Sequence, residues 1–189
     1  MSSKGDATKK RICEAAVRII NRDGYDAATV ERICEEAEVS NGAFFHHFKT
    51  TDDVLVQYVC NESDELRTYY ASLDDASGIE AFRDVVAWQA NYYKKKGEEF
   101  VSHLFSQLAL SKRGMDIGYS LVDVLTFCIE RAQAEGNIGK HVDARLAAEV
   151  HMNDMMGYAM FVPWNAGRGI VTELEARADG FLEMIGTSK

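Results

Sequence analysis

Ala28-Thr29-Val30-Glu31-Arg32-Ile33-Cys34-Glu35-Glu36-Ala37 leads through Glu38-Val39 into Ser40-Asn41-Gly42-Ala43-Phe44-Phe45-His46-His47-Phe48. Thr29 and Ser40 each carry a short hydroxyl that can accept from a free backbone N–H in a first helical turn, so each reads as an N-cap. Behind Thr29, the residues Val30, Ile33, Cys34 and Ala37 recur at three- and four-residue spacing and make the inward face of a short helix. Behind Ser40, a second short helix runs through Ala43, Phe44 and Phe45 toward Phe48. Two such helices across a tight turn have the lengths of a helix-turn-helix, whose second helix enters the DNA major groove while the first braces the backbone. Any small helical protein can contain the same pair, so the residue types must decide.

Upstream, Ile12, Ala15, Ala16, Ile19 and Ile20 form one apolar stripe, which predicts a helix from about Thr8 to Arg22 with Gly24 as its C-terminal stop. Downstream, Thr50 caps a long helix with Asp52 and Asp53 at its positive end, running to about Leu73. Asp74 to Gly78 breaks the pattern. Ile79 to Lys96 is the next helix, closed by Lys94, Lys95, Lys96 and Gly97, and Glu98 and Glu99 open another. Further breaks are expected at Ser111 to Gly114, Gly136 to Lys140 and Pro163 to Gly169, before a terminal helix from Val171 to about Gly186. With one proline in 189 residues and little β-branched alternation, the chain reads as all-α with about nine helices. The expected organisation is a three-helix head over residues 1–50 and a larger helical bundle over residues 51–189.

No run approaches about 18 apolar residues, and Met1 to Asp6 has no apolar stretch behind its lysine, so neither a membrane span nor a secretory signal is expected. This reads as a cytoplasmic protein with no membrane partner. Cys13, Cys34, Cys60 and Cys128 lie far apart without a C-x-x-C pair, which fits reduced thiols and predicts neither a metal site nor another cofactor. G-x-S-x-G, P-loop, H-E-x-x-H and dinucleotide fingerprints are missing, so the sequence supports no enzyme. The net charge of −9 argues, taken whole, against nucleic acid. Up to Arg22, however, six basic residues stand against two acidic ones, a balance of +4 that leaves −13 for the rest. One anion-facing end on an acidic body would produce that split.

The stretch from Ala28 to Leu55 resembles the DNA-binding segment of the TetR/AcrR family of bacterial repressors, and the resemblance extends over about Thr8 to Leu55, Gly24-Tyr25 included. It implies a homodimeric helical repressor whose C-terminal part binds a small apolar or aromatic effector and thereby releases a pseudo-palindromic double-stranded DNA operator. On this likeness Thr29 caps the first helix, and Ser40, Asn41 and Ala43 reach base edges or nearby phosphates. Phe45, His47 and Thr51 fall on the family's usual Tyr, His and Lys phosphate contacts. Only His47 keeps its group; Ala43 replaces a usual Thr, and Glu38 a usual Gly in the turn. Losing a phosphate contact weakens binding and flattens its salt dependence. By their chemistry Asn41 can pair an adenine edge, Ala43 and Phe44 can touch a thymine methyl, and His46 can donate to base or phosphate. Lys49, with Lys9, Lys10 and Arg11, would supply compensating cations, although each lysine reads equally well as a solvated charge.

The resemblance also places a pocket among helices 4 to 8. There Trp88, Tyr92, His103, Phe127, His151 and Met155 are the candidate ligand-binding residues, each of which alone could be ordinary core. His151 and Asp154, at i and i+3, could share an ion or a ligand, but a satisfied half-buried hydrogen bond is the better reading. Val150, Asn153, Gly157, Met160 and Phe161 share another stripe, which with Leu174, Phe181 and Leu182 would build a four-helix dimer interface. A buried crossing within one chain would look the same. Trp164 is expected near that seam. Two other readings stay open: a helical small-molecule-binding protein without operator binding, and a thiol redox regulator, which would need an exposed cysteine of low pKa.

Overall fold

The computed structural model describes residues 4–73, 75–110, 112–161 and 169–186. Thr29 Oγ1 accepts from the Arg32 amide at 3.3 Å and Ser40 Oγ from the Ala43 amide at 3.1 Å, so both predicted caps start helices. They open α2 (Val30–Glu36) and α3 (Asn41–His47). Ahead of them α1 (Lys4–Asp23) buries Ile12, Ala16, Ile19 and Ile20, and a 3₁₀ turn (Tyr25–Ala27) links it to α2. A reciprocal capping box between Thr50 and Asp53 opens α4 (Thr51–Tyr70). The remaining helices are α5 (Gly78–Lys96), α6 (Glu98–Leu110), α7 (Lys112–Ala134), α8 (Ala144–Phe161) and α9 (Ile170–Ile185). The described residues thus form nine α-helices and no strand, apart from one isolated bridge between Ile138 and Gly186.

Three boundaries differ most from the expectation, the first being α1, which starts at Lys4 rather than about Thr8. The break at Ser111 to Gly114 shrinks, because α7 starts at Lys112 and takes Gly114 into its first turn. Helix α4 stops at Tyr70 rather than Leu73, with Ser72 Oγ donating to the Tyr69 carbonyl at 2.6 Å. Pro163 and Trp164 lie outside the described residues, as does the Cys60 side chain.

One hydrophobic core joins head to body. Ile33, Phe44, Phe48, Val54 and Leu55 close over α1, and α5 lies centrally in the body against α7 and α9. The α5–α7 crossing is so close that a Cβ on Gly78 would meet the Ala132 nitrogen at 2.2 Å. Only glycine fits there. Gly97, at φ +91°, turns the chain from α5 into α6 while lying against Asn21 of α1. The start of α6 is thereby seated on the end of α1.

Candidate nucleic-acid interface and sensing body

Helix α3 turns Phe44 inward, fully buried and 5.8 Å from the Phe48 ring, and leaves Asn41, Gly42, Phe45 and His46 on its exposed face. The suggested thymine contact of Phe44 is therefore corrected: its side chain belongs to the head core. Phe45 carries the apolar surface on the outer side, 57% exposed, edge-on to Phe44 at 5.4 Å. Ala43 and His47 are half-buried. At the C-terminal end of α3, Lys9, His47, Lys49 and Gln57 line a hollow of about 390 Å³, where Lys9 Nζ donates to Gln57 Oε1 at 3.4 Å. Burial, His46 and Lys9 together hold the His47 pKa below its ordinary value. A phosphate there would meet cations from α1 and from the α3–α4 link at once.

The arginines of the basic end serve a different purpose. Arg18 and Arg22 pair with Glu36 at 3.1 and 3.3 Å, and Arg32 bonds Asp23, so these cations brace α1 on α2. Lys10 and Arg11 remain exposed. Thr51 is half-buried and its hydroxyl donates to the Ala28 carbonyl at 3.2 Å, which ties the first turn of α4 to the loop before α2.

Glu38, in the turn between α2 and α3, sits at φ +53°, the left-handed region that a Cβ disfavours. Glu38→Gly removes that strain and partly offsets it with a freer unfolded chain, so a net gain of about 0.5–1 kcal/mol is expected in urea denaturation. An unchanged or lower midpoint would mean that the turn carries no such strain.

Behind the head, the Tyr25 hydroxyl donates to Asp52 of α4, while its ring stacks on His103 of α6 at 4.4 Å and 14°. Burial and the Asp52 carboxylate hold the Tyr25 pKa above its ordinary value. The expected pocket residue His103 therefore faces the head and bridges it to α6.

The other expected pocket residues separate. Trp88 and Tyr92 are half-buried along one side of α5, 5.5 Å apart, with Tyr69 of α4 stacked on Trp88 at 5.9 Å. Their groove, about 620 Å³, also contains Glu65, Asp84, Asn91, Lys95 and Lys96. Burial and the nearby Asp84 charge raise the Tyr69 pKa. His151 and Met155 are fully buried in α8 instead. The His151 ring lies 4.9 Å from both Phe82 and Phe181, and neither of its nitrogens finds a hydrogen-bond partner. Burial pushes its pKa down to about 4. The expected bond to Asp154 does not form, because the Asp154 carboxylate is taken by Arg177 of α9 at 2.6 Å. Phe127 is corrected as a pocket residue, since it stands 56% exposed on α7.

The candidate interface residues also divide. Val150, Asn153, Gly157 and Phe161 lie on the exposed face of α8, with Met160 half-buried beside them. A Cβ on Gly157 or on Gly180 of α9 would meet nothing within 4 Å. Leu174, Phe181 and Leu182 are corrected as interface residues, because α9 turns them into its own core against α5 and α8. The exposed face holds apolar residues that the sequence reading passed over, Leu146 on α8 and Met184 on α9. Leu146 continues the spacing of Val150 and could have been read from it.

Residues 12–58 match the family model for bacterial regulatory proteins, tetR family. A transcriptional repressor of Mycobacterium tuberculosis, Rv1474c, is 35% identical over 81 residues, 43% of this chain and 42% of that protein. The chain spans less than half the length of the curated relatives it matches. Among solved structures, the tetR-family repressor FadR of Thermus thermophilus, in complex with lauroyl-CoA, superposes with a TM-score of 0.75 at 19% identity, covering 96% of each chain. SmeT, repressor of the multidrug efflux pump SmeDEF of Stenotrophomonas maltophilia, superposes with a TM-score of 0.71 at 18% identity, covering 98% of this chain and 94% of that one. Residues 12–58 are thus similar to the helix-turn-helix segment of the tetR family of bacterial regulatory proteins, and the described helices follow the fold of these solved structures over nearly the whole chain.

Proposed function

We propose that the chain is a ligand-responsive transcription regulator that binds double-stranded DNA as a homodimer, with residues 1–50 as the DNA-binding head and residues 51–189 as the sensing and dimerising part. The observation that carries this reading is the outer face of α3, where Asn41, Phe45 and His46 stand exposed beside the Lys9, His47 and Lys49 hollow. Asn41 and His46 offer hydrogen bonds to base edges, Phe45 offers an apolar surface, and the cations meet backbone phosphates. The action is that of a repressor, released by a small apolar or aromatic effector in the body. It is a cytoplasmic, non-enzymatic role. Among the described residues no helix is long and apolar enough to cross a membrane. A thiol regulator fits less well: Cys13, Cys34 and Cys128 are buried, and burial pushes the Cys128 thiol up to about 12.

The test is retention of random genomic duplexes at low salt, followed by sequencing of those retained. A shared pseudo-palindrome is expected, and failure to retain any duplex at about 50 mM salt would refute the reading. On the selected duplex, Lys49→Ala is expected to reduce the slope of log affinity against log salt by about 0.9, the contribution of one phosphate contact. An unchanged slope would place Lys49 away from the DNA.

A further inference from the structure

Three rings, Tyr69, Trp88 and Tyr92, line the groove between α4 and α5, and Trp88 and Tyr92 pack against the core only in part. The face of α5 that fills the interior is formed by Phe82, Val85, Val86 and Tyr93, whereas Tyr69, Trp88 and Tyr92 remain half-exposed along the groove wall. The carboxylates of Glu65 and Asp84 stand exposed in the same groove, and neither makes an ion pair or hydrogen bond among the described residues. Past Asp84 and Ala87 the surface continues into a second hollow of about 260 Å³, where Glu175 stands near the Arg83–Asp179 ion pair. This end of the groove is acidic, on a body of residues 51–189 whose net charge is −9.

An aromatic face carries negative electrostatic potential and attracts a cation placed over it. Lys96 is already such a cation beside the groove: its ammonium lies 4.9 Å from the ring centre of Tyr92 and 4.8 Å from that of the buried Tyr58. Half-exposed aromatic faces beside unengaged carboxylates are complementary to a positive charge on an apolar body. Lys95 and Lys96 balance Glu65 and Asp84 along the groove, but at the carboxylate end an organic anion would have to approach against Glu65 and Asp84. We propose that the groove is a binding site for an organic cation, an alkyl- or arylammonium whose charge rests against Tyr69, Trp88 and Tyr92 and faces Glu65 and Asp84. This deepens the reading of the body as the sensing part by naming the class of effector. Measuring ligand binding without DNA keeps the failures of the two ideas apart.

The probe is benzyltrimethylammonium, compared with neutral neopentylbenzene and anionic 3-phenylpropionate. In a Trp164→Phe background Trp88 is the sole tryptophan. The ammonium is expected to change Trp88 emission saturably and to bind at least about tenfold more tightly than either comparison compound. Asp84→Asn and Glu65→Gln, both at exposed positions without partners, should each weaken it about threefold and flatten its salt dependence. Trp88→Leu, followed by calorimetry, should weaken it about tenfold. Equal or tighter binding of phenylpropionate would assign the groove to anions through Lys95 and Lys96 and overturn the proposal. Absence of saturable binding up to about 10 mM would also overturn it, as would unchanged affinity in both carboxamide variants. Ammonium binding that leaves DNA affinity unaltered would uphold the site and refute only its regulatory use.

Discussion

Val150→Asp is expected to turn the protein into a monomer at micromolar concentration and to lower its affinity for a two-half-site duplex by about a hundredfold or more. Leu146, Val150 and Phe161 are 57%, 53% and 60% exposed on one face of α8, and Met184 is exposed on α9. Burying side chains of that size is worth about 1.5–3 kcal/mol each, and a twofold axis counts every one twice. Gly157 and Gly180, where an added Cβ would meet nothing within 4 Å, would let the backbone of a second copy come near. An aspartate at 150 would place a carboxylate beside its own symmetry copy in a surface losing water, removing apolar burial and adding repulsion. DNA binding falls with the dimer because a second head tethered to the first acts at an effective concentration of about millimolar, and a free monomer loses that advantage. Sedimentation velocity gives the association state, and titration of the selected duplex gives the affinity. A Val150→Asp protein that remains dimeric would place the interface elsewhere. One that is monomeric yet binds the duplex undiminished would show that the head works alone.

The head was readable because its determinants are local. Thr29, Ser40 and Thr50 hold hydroxyls where the next turn needs acceptors, and a cap depends on a span of three residues rather than on the rest of the fold. Facing was harder to read. Phe44 and Phe45 are adjacent, and only the position of α1 decides that Phe44 goes into the core while Phe45 meets solvent. In the body, Leu174, Phe181 and Leu182 read as part of a dimer interface, but spacing along one helix cannot say which neighbour their side chains would meet. The α5 side of α9 took them, and the unassigned Leu146 and Met184 were left to face outward. The same limit applies to His151 and Asp154. Their i, i+3 spacing makes them neighbours on α8, yet Arg177, on a different helix, takes the carboxylate. The Tyr25 contacts to Asp52 and His103 join residues far apart in sequence, and no short pattern signals them.

Lowering the pH from 7 to 4 is expected to cost the protein about 3 kcal/mol through His151 alone, since each unit of pKa displacement is worth about 1.4 kcal/mol. The folded protein holds this imidazole between Phe82 and Phe181, with its pKa pushed down from 6.5 to about 4 by burial. The unfolded chain takes up a proton as the pH falls through about 6.5, whereas the folded chain does so only near pH 4. Between these values the unfolded state binds more protons, so stability falls as the pH falls and is fully present above pH 6.5. Asp154 is the one charge on its own helix that acts on it, favouring the charged form, and that carboxylate is already paired with Arg177. The depressed carboxylates Asp23, Glu36 and Glu80 lose their stabilising charge at lower pH, below their ordinary values of 3.8 and 4.5, and so act mostly beneath this window. His47, also depressed, titrates in the same direction within it. Comparing the wild type with His151→Phe separates the two, because His47 is present in both. Urea denaturation from pH 7 to pH 4.5 should show the wild type losing stability more steeply than His151→Phe, so that the stability of the variant relative to the wild type rises as the pH falls. Any fixed cost of fitting the larger phenyl ring shifts the variant equally at every pH and leaves that trend intact. Parallel stability curves would mean that the folded protein accepts a proton on His151 as readily as the unfolded chain does, and that the α5–α8–α9 junction admits charge.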